Sequence, residues 1–155
     1  MTEYELLKLI QEGENIHVEF KKSTNEITKD VYDTVCSFSN REGGTIVLGI
    51  KDNGDILGIA PNAVDHLKKD FVTTINNGEK INPPLYLQPE EYSIEGKIIL
   101  VIQVPVASQV CRHRGRILIE TTRPILISPI TPTWYISYMR EKAVAISSIK
   151  SHVFN

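Results

Sequence analysis

The stretch "GGTIVLGIKDNGDILGI", residues 43–59, decides the fold. "TIVLGI" is a continuous apolar run, as expected of a strand covered on both faces. Asn53-Gly54 follows, the strongest short-range hairpin signal, because a two-residue type I′ turn needs positive φ at both positions. "ILGI" then returns as the partner strand. Upstream, Gly43-Gly44 releases the chain from a helix expected over about 29–39. Thr28 can cap that helix, and Val31, Val35 and Phe38 fall on one of its faces.

Further out, "EGENIHVEFKKS" (12–23) alternates Ile16, Val18 and Phe20 with His17, Glu19 and Lys21, the period of a half-buried strand over 16–21. A helix with Leu6, Leu7 and Ile10 precedes it and stops at Gly13. Downstream, Ala63 to Asn76 reads as an amphipathic helix. "LYLQPEEYSI" and "KIILVIQV" read as strands joined around Glu95-Gly96, with Pro89 confining the first to an edge or a bulge. "QVCRHRGRILIETTRP" reads as a basic loop leading into a strand at 117–121. Thr131-Pro132 opens a last helix carrying Trp134, Tyr135 and Tyr138, suited to packing or a subunit interface. The fold class is α+β: one domain, a mixed and mostly antiparallel sheet with a β-hairpin at Asn53-Gly54, and flanking helices. Residues 1–130 form its body, and 131–155 a C-terminal helix that packs on it or mediates association.

At 155 residues, 41% hydrophobic and 23% charged, the chain is long and apolar enough for one core. No apolar run approaches membrane-spanning length and the start "MTEYELLKLI" is no signal peptide, so a cytoplasmic protein without membrane contact is expected. Cys36 and Cys111 have no metal-ligand spacing and read as reduced thiols. The net charge of −2 is unevenly spread. Residues 1–106 hold 10 Lys and Arg against 17 Asp and Glu, while residues 107–155 hold 7 against 2. That asymmetry suggests a basic surface.

Three stretches, "ENIHVEFK", "VCSFSNREGGTIVLGIKDNGDILGI" and "RGRILIETTRP", resemble in order and spacing the Schlafen AlbA-like domain, also called a divergent AAA domain. The matching residues are Glu14, Glu19-Phe20-Lys21, Phe38, Asn40, Gly43-Gly44, Gly49, Asp52, Gly54 and Gly58-Ile59, and the likeness covers most of residues 10–125. "ILIETTRP" departs from the family: an arginine and a glycine usual before its Thr-Arg are missing, while Arg123 keeps its place.

The resemblance implies a nucleic-acid-binding module for DNA or RNA, of the kind found in bacterial and archaeal transcriptional regulators, often at the N-terminus of a longer protein. In some animal members paired lobes form an endoribonuclease with a carboxylate triad, which maps here onto Glu14, Glu19 and Asp52. Such a triad would bind Mg²⁺ or Mn²⁺, hard cations suited to carboxylates and to phosphodiester hydrolysis. One lobe alone would need a homodimer to enclose RNA. Glu14 and Glu19 point to opposite faces of an ideal strand, so the triad requires a bend near Asn15. The plainer reading pairs Glu19 with Lys21 or His17 on a solvated face. Candidate phosphate contacts are Lys21, Lys22, Arg112, His113, Arg114, Arg116 and Arg123. A third alternative is a non-catalytic oligomerisation or protein-interaction domain. No Walker-type ATPase loop is present, since Gly43-Gly44 follows a helix and lacks Lys-Ser/Thr behind it.

Overall fold

Parallel pairing of two short strands across an intervening helix organises the molecule. The computed structural model describes residues 1–117. β1 (Val18–Lys21) leads into α2 (Lys29–Ser39), which returns the chain to β2 (Gly44–Leu48) parallel to β1. Ahead of β1 lies α1 (Glu3–Glu12). Thr2 and Glu5 close a reciprocal capping box on it, and Gly13 ends it at φ 82°. After β2 come α3 (Val64–Ile75), β3 (Ile81–Asn82), β4 (Glu90–Ile94), β5 (Lys97–Val104), β6 (Arg112–His113) and β7 (Arg116–Ile117). The main sheet runs β1-β2-β5-β4, antiparallel except at β1-β2, and a small sheet runs β3-β6-β7. The α+β class and the mixed, mostly antiparallel sheet are as the sequence indicates.

β2 is buried on both faces because successive side chains enter different cores. Ile46 and Leu48 pack with α2, α3 and Leu100, Ile102 and Val104 of β5. Val47 packs with Leu6 and Ile10 of α1, Phe20 of β1 and Val101 of β5. Pro89 immediately precedes β4, which is an edge strand, and Glu95-Gly96 joins β4 to β5 with φ of 53° and 76°.

Three local expectations need correction. The hairpin at Asn53-Gly54 exists, but Asn53 is not among the left-handed residues; its side chain accepts the Asp55 N–H at 3.0 Å instead. Lys51 N–H donates to Asp55 O and Gly54 N–H to Lys51 O, both at 2.9 Å, so the loop has three residues closed by Gly54 at φ 91°. The returning "ILGI" makes only the single bridges Ile50↔Ile56 and Ile59↔Ile98, because the Leu57 and Gly58 N–H groups converge on one carbonyl, that of Gly49. Ile16 and His17 belong to no strand. Asn15 and Val18 exchange backbone hydrogen bonds at 3.0 and 3.2 Å, so 15–18 is a tight reversal. Arg123 and the 131–155 helix, with Trp134, Tyr135 and Tyr138, lie outside the described residues.

Candidate nucleic-acid interface

The reversal at 15–18 answers the geometric question posed by Glu14 and Glu19. It folds Glu14 back along β1, where Oε1 accepts the Phe20 N–H at 2.8 Å. Burial pushes the Glu14 pKa up and the Phe20 hydrogen bond opposes it; the charges of Glu19 and Asp52 add to the rise, and Lys21 counters it. Glu14 therefore lies within electrostatic reach of both Glu19 and Asp52. Yet among the described residues no group of three His, Cys, Asp or Glu side chains is placed to hold a metal ion. Glu14 is committed to a backbone amide and Glu19 to Lys21.

Lys21 bridges Glu19 at 3.0 Å and Asp30 at 2.8 Å with its side chain 18% exposed. Burial disfavours its charge, but hydrogen bonds to Asp30 and Glu19 outweigh that and hold its pKa above the ordinary lysine value. The plain pairing of Glu19 with Lys21 is thus realised, while His17 meets Glu42 at 3.3 Å. Lys21 is thus occupied by two acids. Lys22 is exposed and has no ion-pair partner among the described residues.

"CRHRGR" is no loose loop. β6 and β7 form a hairpin turned by Arg114-Gly115 at φ 51° and 77°, and β6 pairs with β3. Asn40 anchors its root: the side-chain amide donates to Cys111 O at 2.8 Å and accepts the Cys111 N–H at 2.6 Å. Arg114 N–H donates to Lys80 O at 2.7 Å. His113 is buried, its Nδ1 on Asp33 at 2.5 Å, and Arg116 lies 4.0 Å from the same carboxylate. Arg112 and Arg114 have no ion-pair partner among the described residues, and Arg114 is exposed. Burial of Cys36 against Cys111, with Sγ atoms 2.6 Å apart, ties α2 to this hairpin; both are free thiols, and their contact and burial push the Cys36 pKa up. Sequence reasoning missed Asn40 as an anchor and Asp33, Lys29 and Lys80 as neighbours of the hairpin. Asn40 stood in the motif and carried a signal; the others are joined only by tertiary packing.

The family model described as Schlafen, AlbA_2 matches residues 14–123. The chain belongs to the Schlafen AlbA_2 family. A 103-residue stretch is 33% identical to "Uncharacterized ATP-binding protein UU034" of Ureaplasma parvum serovar 3, covering 61% of this chain and 29% of that relative's length. Among solved structures, the N-terminal domain of a RecG-related protein from Nitrosomonas europaea, named for an ATP-dependent DNA helicase, is 27% identical. It aligns at a TM-score of 0.53 over 67% of this chain and 72% of its own. The DIP2311 protein of Corynebacterium diphtheriae shares the fold at a TM-score of 0.54 and 16% identity, over 79% of this chain and 29% of its own. No helix of the described residues is long and apolar enough to cross a membrane. Gly43 and Gly44 do not form a phosphate loop. A side chain at Gly43 would strike Val104 O at 2.5 Å and one at Gly44 the Phe38 ring at 2.5 Å, so close packing explains both.

Proposed function

We propose that this AlbA_2 domain binds nucleic acid through the β6-β7 hairpin, as a regulatory module. The observation that carries the reading is the hairpin itself: it is anchored at Asn40 and Lys80, and it presents Arg112 and Arg114 without ion-pair partners among the described residues. A planar guanidinium suits phosphate, and a fixed arm loses little conformational freedom on binding. Backbone contact of this kind confers affinity without reading bases. The double variant Arg112→Gln/Arg114→Asn keeps the turn, since asparagine tolerates positive φ. It should bind single-stranded RNA and duplex DNA about tenfold or more weakly at moderate salt. Undiminished binding of both would refute the reading.

Ribonuclease activity is a second reading, favoured by one observation: Glu14 senses the charges of both Glu19 and Asp52. It requires the carboxylates to regroup, with Glu14 leaving the Phe20 amide and Glu19 leaving Lys21. Manganese-dependent cleavage of structured RNA, lost in Glu19→Ala, would support it. Inertness toward such RNAs at every metal concentration would end it.

A further inference from the structure

A cleft of about 350 Å³ opens between the start of α2, the last turns of α3 and the β6-β7 hairpin. Lys29, Lys80 and Arg114 line it from three separate segments, and none has an ion-pair partner among the described residues. Asp70 and Thr73 of α3 line it too, and among the described residues Asp70's ion-pair partner is the exposed His66 at 3.1 Å.

Two features suggest a built site. Arg114 adopts φ 51°, a conformation that costs a non-glycine residue energy and persists only where the surroundings enforce it. Asparagine is the ordinary residue at the first position of such a turn. The arginine here sits on the Lys80 carbonyl, so two cations share one rim. Secondly, the nearly inaccessible His113 uses Nδ1 on Asp33, which leaves Nε2 without a protein partner among the described residues.

The aromatic residue present narrows the ligand. Tyr32 stacks on Phe71 at 6.0 Å and 15°, and His113 tilts against it at 5.9 Å and 50°. Tyr32 is buried, only 7% exposed, so no nucleobase can stack on it, in contrast to aromatic platforms for single strands. What remains available is ionic and hydroxyl chemistry. Three cations suit a phosphate, and a carboxylate beside the Thr73 hydroxyl suits sugar hydroxyls. The volume lies at the small end for ligand pockets, enough for one nucleotide.

The geometry points to a base-indifferent site for one phosphorylated ribose, with phosphate on Lys29, Lys80 and Arg114 and sugar hydroxyls on Asp70 and Thr73. It rests on the nucleic-acid reading and deepens it. The phosphate can come from the end of a strand or from a free nucleotide.

Amide shifts of the isotope-labelled full chain test this, with uridine 5′-monophosphate, its 2′-deoxy counterpart, uridine, and octauridylate with or without a 5′-phosphate as probes. The monophosphate should shift Thr73, Thr74, Lys80 and Arg114 saturably, and uridine should not. Lys29→Gln/Lys80→Gln, at two exposed and unpaired positions, should weaken the monophosphate about tenfold or more. Asp70→Asn should narrow the preference for the ribose over the deoxyribose monophosphate. Tighter binding of the phosphorylated octamer assigns the site to strand ends; equal octamer affinities with monophosphate shifts intact assign it to free nucleotides. Absence of saturable shifts, or shifts indifferent to the double variant, overturns the site. If the octamers still bind through Arg112 and Arg114, only the cleft inference has failed. If neither octamer binds while the monophosphate does, the hairpin reading has failed and the cleft stands.

Discussion

Glu14 shows how one residue can stabilise a turn and burden it at once. Its carboxylate satisfies the Phe20 amide, yet burial and the charges of Glu19 and Asp52 raise its pKa. A carboxyl whose pKa is higher folded than unfolded binds more protons in the native state at intermediate pH. Stability therefore falls as pH rises from the unfolded value through the folded one, and the whole penalty is present at neutral pH. Glutamine keeps an oxygen for the Phe20 N–H and removes the charge. Glu14→Gln should therefore be more stable than the parent in urea at pH 7, and the difference should disappear below about pH 4, where both side chains are neutral. Equal stability at both pH values would show that the repulsion is relieved by solvent. Nothing in the periodicity of "EGENIHVEFKKS" revealed this. The sequence permitted a bend at Asn15, but only the exchanged hydrogen bonds of Asn15 and Val18 make it a reversal.

At the scale of elements, legibility followed local chemistry. α2 occupies 29–39 as expected, because an amphipathic stripe and a glycine pair define both ends. The hairpin at Asn53-Gly54 was legible as a hairpin but not by turn type, since the Asn53 side chain competes with the two-residue geometry by bonding Asp55. Gly43 separates α2 from β2 for steric reasons. At φ 79°, with Val104 O 2.5 Å from an added Cβ, Gly43→Ala should cost about 2 kcal/mol or more, measured by chemical denaturation. β6-β7 is the element that local signals misread. Its strands are two residues each and depend on β3 and on Asn40, both distant in sequence. Asn40→Ala would leave the Cys111 N–H and carbonyl without that partner at a buried position, a loss of about 2–3 kcal/mol. Hydrogen exchange should quicken at Cys111 and through β6-β7 more than in β2 and β5. Uniform acceleration would mean the anchor serves the whole fold rather than the hairpin.

For the whole molecule, charge placement matters more than total charge. A net charge of −2 gives nucleic acid no long-range attraction to the protein as a body, so binding must come from a local patch. The excess of cations after residue 106 was legible, but its partner cations were not. Lys29 and Lys80 come from the acidic part of the chain and reach Arg114 only through the packing of α2, α3 and the hairpin. Conversely Lys21, the cation of the family motif, is drawn into pairs with Glu19 and Asp30. Counterion release turns this census into a number. The four cations of this patch without ion-pair partners among the described residues, Lys29, Lys80, Arg112 and Arg114, imply that log K for a single strand falls against log salt with a slope of about −3. Neutralising Lys29 and Lys80 together should flatten it by about 1.4, whereas Lys21→Gln should leave it unchanged. A titration of octauridylate from low to moderate salt on each variant decides the matter. A slope beyond about −6 would require cations outside this patch, and a Lys21→Gln slope as flat as that of the double variant would return the motif lysine to the interface.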